Sequence, residues 1–271
     1  MLSRYFKLKL EKLGFSEVSE VLYSLSYCQG DGCSFEAKIG ENEVIPIINR
    51  MHEDRPHLAT ERHKDLLLQY EQSQLVRQYP VYFSITQRDS HYVHDNTMSI
   101  DWEHKEDFEE TLEYLLDPTE SLSEHILEYA KQCARKLEPD GYRLIDAFRC
   151  EPETVWQYKT REFLIQLRKE SEDIEYFDQD FYLDDEEYYS ICQEYIQGRQ
   201  QMATLIAEVF VLNEIDMDSI DEYEPVEQSL LSGVCFKPGD PTFGGVKSEL
   251  IGEVIQSLRS SLEQLPQQQQ A

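Results

Sequence analysis

The segment Tyr23-Ser-Leu-Ser-Tyr-Cys-Gln-Gly-Asp-Gly-Cys-Ser-Phe35 limits the folding choices of this chain more than any other. Over 19–28, Val21, Tyr23, Leu25 and Tyr27 alternate with Leu22, Ser24, Ser26 and Cys28. A period of two specifies a strand, because successive side chains point to opposite faces. Gln29-Gly-Asp-Gly32 then interrupts the pattern. Its two glycines supply positive φ at no steric cost, so the chain is expected to turn there, with Asp31 capping backbone amides. A second strand over 33–39 follows and pairs with the first.

Two more strands are expected. Val81–Gln87 alternates cleanly, and Tyr92–Trp102 places Met98, Ile100 and Trp102 on one face, so the pair reads as an antiparallel hairpin around 88–90. The expected fold class is therefore α+β: an antiparallel sheet of strands near 20–28, 33–39, 81–87 and 92–102, flanked by helices. Residues 5–13 suit a short helix or strand. Val44–Ile48 contains Pro46, which points to an edge strand. Helices are expected over 60–79, stopped by Pro80, and over 108–116, stopped by Asp117-Pro118. Ser121-x-x-Glu124 fits a capping box opening a further helix, with Leu122, Ile126, Ala130, Cys133 and Leu137 at helical spacing. Pro139–Tyr142 reads as a turn and 143–148 as a short strand. Past Cys150 a mainly helical acidic region is expected, with helices over 153–170, 185–197, 201–215 and 247–264 and a Gly/Pro-rich loop at 232–246. The division falls into 1–150 and 151–271.

Charge is the strongest global signal. Asp and Glu number 54 against 25 Lys and Arg, a formal net charge of −29. Direct nucleic-acid binding over a broad face is disfavoured, since phosphates need cations, and anionic membrane surfaces are disfavoured alike. Three readings stay open: a solvated acidic surface, a surface that docks basic partners, and mimicry of DNA by carboxylates. Acidic residues concentrate over 101–128, including Glu109, Glu110 and Glu113, and over 170–227, including Asp184, Asp185, Glu186 and Glu187. These seven form the candidate contact surface. No signal peptide or membrane-spanning run is read, so the cytoplasm, with free thiols, is expected.

No motif fixes a chemistry. Gly30-Asp-Gly32 lacks the lysine of a phosphate loop and the third glycine and helix of a dinucleotide fold, and Asp31 would repel phosphate. Gln29, Asp31, His94 and Asn96 form a candidate polar pocket if the first turn and the start of the fourth strand share one end of the sheet. His91-x-x-His94 on a strand points to opposite faces, which argues against a metal pair. Cys28 with His94 is a conceivable nucleophile pair, but Asp31 would raise the thiol's pKa. His52, His57 and His63 match no zinc spacing and read as solvated loop residues. The six scattered cysteines show no zinc pattern. No metal, cofactor or catalytic residue is assigned.

The words Tyr-Ser-Leu-Ser-Tyr-Cys-Gln-Gly-Asp-Gly-Cys-Ser-Phe and His-Tyr-Val-His-Asp-Asn-Thr-Met-Ser-Ile resemble an uncharacterised family of bacteriophage and plasmid proteins. That family carries a similar Ser-x-x-x-Gln-Gly-Asp-Gly-x-Ser-Phe segment. The resemblance spans roughly residues 20–150 and implies a mobile-element origin and no catalytic residue. With the charge, it leads to the expectation of a non-catalytic accessory protein that binds a basic or nucleic-acid-binding host protein. Inhibition of a host defence protein by DNA mimicry is its sharpest form. The alternatives are a small hydrolase or nucleic-acid-modifying enzyme with its site at Gln29–Gly32 and His94, and a virion or assembly component.

Overall fold

The structure is a computed structural model and describes residues 1–54, 61–72, 82–88, 93–103, 113–174, 183–212 and 223–268. It has the expected α+β class, with two antiparallel four-stranded sheets and six helices among the described residues. The chain divides into two compact units, Leu2–Tyr142 and Arg143–Ala271, the latter joined by Met1.

In the first unit the order is α1 (Leu2–Lys12), β1 (Glu17–Ser24), β2 (Gly32–Ile39), α2 (Glu41–Asp54), α3 (Glu61–Gln72), β3 (Phe83–Gln87), β4 (Met98–Trp102) and α4 (Glu113–Phe148), whose last residues belong to the second unit. The strands pair in sequence order, β1-β2-β3-β4, all antiparallel. On β2 the residues Cys33, Phe35, Ala37 and Ile39 are buried, one face of the pleat. Phe15 meets Phe35 edge-on at 4.9 Å and stacks on Tyr129 of α4 at 5.9 Å, so one ring joins sheet and helix. Leu122, Ile126, Ala130, Cys133 and Leu137 of α4 are all buried, as their spacing predicts. Tyr5 and Lys9 of α1 both donate to the Asp140 carboxylate, Tyr5 at 2.6 Å.

Several local expectations are corrected. The run Val44–Ile48 is the core of helix α2, because Val44, Ile47, Ile48 and Met51 are buried at helical spacing and outweigh Pro46. Asp117-Pro118 does not end a helix, Ser121 does not cap one, and Pro139–Tyr142 and 143–148 are neither turn nor strand. All lie inside α4. Each proline removes one backbone hydrogen bond, at a cost that continuous burial on the helix face offsets. β1 ends at Ser24, and β4 starts only at Met98 after a 3-10 turn at Asp95–Thr97. Part of the helix expected over 108–116 and the ends of those over 60–79 and 201–215 lie outside the described residues.

The second unit contains a sheet that the sequence did not announce. Its elements are β5 (Glu153–Lys159), β6 (Phe163–Ser171), α5 (Asp185–Ile196), β7 (Gln201–Val211), β8 (Glu227–Phe236) and α6 (Lys247–Gln268). The helix expected over 153–170 is the β5–β6 hairpin, and that over 201–215 is strand β7. Residues Met202–Phe210 are buried without a break, and a mostly apolar run with only Thr204 and Glu208 in it shows no period that distinguishes a central strand from a buried helix. The expected loop at 232–246 is the end of β8 followed by turns. Leu250 and Val254 of α6 pack with Leu167, Leu205, Ala207 and Val209 in one core. Gln166 of β6 donates to Glu208 of β7 at 2.9 Å, and Glu172, just past β6, accepts from Thr204 of β7 and from the Gly233 amide of β8 at 2.8 and 2.6 Å. Buried polar groups there are thus paired.

Two substitutions test this packing. Phe35→Ala is expected to cost about 3–5 kcal/mol in denaturant unfolding, the range for truncating a buried Phe. Gly141→Ala is expected to destabilise although alanine is the better helix former by about 1 kcal/mol. The reason is that an added methyl would stand 2.4 Å from Leu25 Cδ1 and 2.9 Å from Phe6 Cζ, and the Phe6 ring is fully buried.

Candidate functional site

Between β1 and β2 the chain makes a seven-residue loop, 25–31, wrapped around the Asp31 carboxylate. Ser24 and Ser26 hydroxyls donate to Oδ1 at 3.1 and 2.9 Å. The Ser26 and Cys28 amides donate to Oδ2 at 2.8 and 2.9 Å. The Tyr142 hydroxyl of α4 donates to the same Oδ2 at 2.5 Å. Tyr27 adopts positive φ (61°) and its ring lies 4.6 Å from that of Tyr142. The capping role expected of Asp31 is present, and Tyr27, in its left-handed conformation, packs its ring on Tyr142.

This arrangement decides what Asp31 can do. The bond from Tyr142, followed by those from Cys28 and Ser26, holds its carboxyl far below the usual carboxylate range. Burial and the facing Asp31 push the Tyr142 phenol up to about 12. A general acid or base works best with a pKa near the operating pH. Both groups are displaced away from it, so the pair fastens the loop to α4 and holds no proton to exchange near neutrality.

The four residues of the expected polar pocket are only partly brought together. Gly32 lies against the 93–94 segment: a methyl there would stand 2.5 Å from the Val93 carbonyl and 3.0 Å from His94 Nδ1. His94 is therefore next to the loop that holds Asp31. Gln29 is exposed on that loop. Asn96 lines a different space, a cavity of about 510 Å³ bounded by β4 and α4 residues including Asp101, Trp102, Glu124 and Lys131, which Gln29, Asp31 and His94 do not line. The neighbouring Asp95 is tied to Arg135 of α4 at 2.7 Å. Tyr142 and Arg135, the two α4 residues that fix both loops, carried no local signal. Tyr142 sat in an apparent turn, 111 positions from its partner.

All six cysteines are free thiols. Burial, aided by Glu138, pushes Cys33 up to about 12, and burial raises Cys150. Neither suits nucleophilic use, which needs thiolate. The reading of the histidines is corrected in two places. His63 is buried in α3, its ring 4.8 Å from that of His125 and its Nε2 3.2 Å from the Ser121 hydroxyl. Burial, then His125 and Arg62, lower its pKa. His52 lies in α2 with its Nε2 buried and unbonded among the described residues. His57 and His91 lie outside those residues. No group of three or more potential metal ligands occurs among them.

Of the candidate acidic surface, Asp184, Asp185, Glu186 and Glu187 are exposed at the start of α5. Asp184 caps the helix, accepting from the Glu187 amide at 2.8 Å. Acids in a first helical turn are favoured by the macrodipole, which gives these four a local structural reason. Glu113 begins α4 but its side chain is outside the described set, as are Glu109 and Glu110 entirely. No described helix is long and apolar enough to cross a membrane.

The fastener has a pH signature. Asp31 has a depressed folded pKa, so its contribution is complete above the ordinary carboxylate value and is lost as pH falls below it. Tyr142 has a raised one, so its contribution is complete below about 10 and lost as pH climbs through about 12. Tyr142→Phe is expected to lower Tm by several degrees at neutral pH and to flatten the alkaline limb of the Tm–pH curve. A Tm and curve equal to those of the parent would contradict the assignment.

No curated protein and no solved structure matches the chain. Residues 2–146 match the sequence profile of a domain of unknown function, DUF8835. The match takes in the whole first unit and every residue of the Asp31–Tyr142 fastener. Spanning more than half of the 271 residues, it shows that the chain belongs to the DUF8835 family.

Proposed function

We propose that this chain is a non-catalytic binding protein that takes a basic protein partner on its acidic surface. The observation that carries the proposal is the charge: 54 acidic against 25 basic residues. Four consecutive carboxylates, Asp184 to Glu187, stand exposed on one turn of α5, fixed by the helix itself. Charge of one sign speeds encounter with an oppositely charged partner and selects it. The resemblance of residues 20–150 to phage and plasmid proteins supplies the setting: an accessory protein acting in a host cell on a basic or nucleic-acid-binding protein. In its sharpest form the carboxylates stand in for DNA phosphates, about one charge per 1.7 Å of axis.

The hydrolase reading loses ground on a specific point. The Asp31 carboxylate receives five hydrogen bonds and its pKa is far from useful.

The test is a titration of a fluorescein-labelled Lys/Arg-rich peptide, followed by anisotropy at low and high salt. Binding is expected at low salt, with at least about a tenfold loss at high salt, since exposed charges are screened. Neutralising Asp184→Asn, Asp185→Asn, Glu186→Gln and Glu187→Gln together is expected to weaken it severalfold, while Asn at 184 preserves the cap. Equal affinity for a neutral peptide, or no loss in the neutralised protein, would sink the reading. Competition by duplex DNA for a DNA-binding partner separates mimicry from simple charge docking.

A further inference from the structure

The second sheet has one edge whose chemistry runs against that of the chain. The strand order is β5-β6-β7-β8, so β5 and β8 are its edges. β8 lies among carboxylates: Glu227 accepts from Ser257 and Ser261, and Ser229 donates to Glu253 of α6. β5 differs. Trp156 and Tyr158 pair with Leu167 and Ile165, on the face that α6 covers. Their rings stack at 6.4 Å and 12°, and the Lys247 ammonium stands 5.6 Å over Trp156. Tyr158 is 57% exposed, more than any other large hydrophobic residue described. The hairpin tip beyond it carries Lys159 and Arg161, both exposed and neither in an ion pair among the described residues.

The tip is rigid. Thr160 accepts from the Phe163 amide at 2.8 Å through its hydroxyl, and its own amide donates to the Phe163 carbonyl at 2.8 Å. The backbone that carries both cations is thus held in place, and Glu162 is the one carboxylate between Thr160 and Phe163. Edge strands are commonly blunted by bulges or charge. Here the bulge lies at Thr154/Trp156, and the register from Trp156 to Lys159 is regular. An exposed aromatic stack does not blunt an edge; it provides apolar contact for something laid along it.

We infer that β5 docks an acidic, extended segment of a partner protein by strand addition. The backbone of Trp156–Lys159 supplies hydrogen bonds, the Trp156–Tyr158 stack supplies contact for alternate apolar side chains, and Lys159, Arg161 and Lys247 receive the carboxylates. Strand addition draws affinity from the main chain and specificity from alternate side chains, which suits an open edge flanked by a pair of rings. Charge selects an acidic occupant, since in a chain of net charge −29 exposed cations are the scarce sign, and these two are in no ion pair among the described residues. This surface is separate from the acidic turn of α5, and the two readings stand or fall independently.

The probe is a fluorescein-labelled peptide of alternating Val and Glu, titrated into the full chain. Saturable binding is expected, with the β5 amides slowed in hydrogen exchange on saturation. Lys159→Glu with Arg161→Glu is expected to weaken binding at least tenfold, and Tyr158→Ser to weaken it severalfold. All three side chains are exposed, so an unchanged circular-dichroism spectrum is expected to show that the fold is kept. A Lys/Arg-rich peptide should lose nothing in the same variants, which separates this surface from the acidic one. Undiminished binding in the Glu variant, no protection of β5, or binding of oligo-dT at the patch in place of the peptide overturns the inference. So does a parent dimer that the charge reversal dissolves.

Discussion

The first unit depends on the burial of one apolar stripe, that of α4. Leu122, Ile126, Tyr129, Ala130, Cys133 and Leu137 repeat at helical spacing and are all buried. Removing this much apolar surface from water outweighs the local cost of Pro118 and Pro139, each about 3 kcal/mol in a helix interior. What these sequence positions favour alone, a stop and a turn, is overridden because interrupting the helix would uncover the stripe. The polar side of the same helix then holds the loops. Asp140 accepts from Tyr5 and Lys9, Arg135 donates to Asp95, and Tyr142 donates to Asp31.

Several of the carboxylates that give the chain its charge are thereby occupied internally. Asp31 and Asp140 secure loop and helix in the first unit. Glu208 satisfies Gln166 on the central strands of the second, Glu172 satisfies Thr204 of β7 and the Gly233 amide of β8, and Asp184 caps α5. Composition alone would count all of them toward an acidic surface. The exposed carboxylates without such a role are a smaller set, of which Glu186 and Glu187 on the first turn of α5 are the clearest. Against that background the cationic, aromatic edge at β5 stands out by sign and by exposure.

The hairpin loop illustrates how a conspicuous motif can be structural. Gly30, at φ 114°, lets the chain turn, and Gly32 lets Val93 and His94 approach its backbone. Asp31 is acidic because five donors converge on it. None of this needs a ligand, and all of it lies within the span matched by the family.

The sequence by itself determined the α+β class, the pairing of β1 with β2 and of β3 with β4, the turn with its capping aspartate, and the buried face of α4. These are local periods of two and 3.6 and the conformational freedom of glycine, all readable over a few residues. Tertiary structure alone decided that β7 is a strand, that 153–170 is a hairpin and that α4 continues past two prolines. It also decided which loops share α4 as an anchor. A mostly apolar run such as Met202–Phe210 suits helix and strand equally until its neighbours are known, because its hydrogen bonds close within the run in one case and across to β6 and β8 in the other. Partners such as Asp31 and Tyr142, 111 residues apart, leave no mark on local sequence, because only the folded chain brings them within reach.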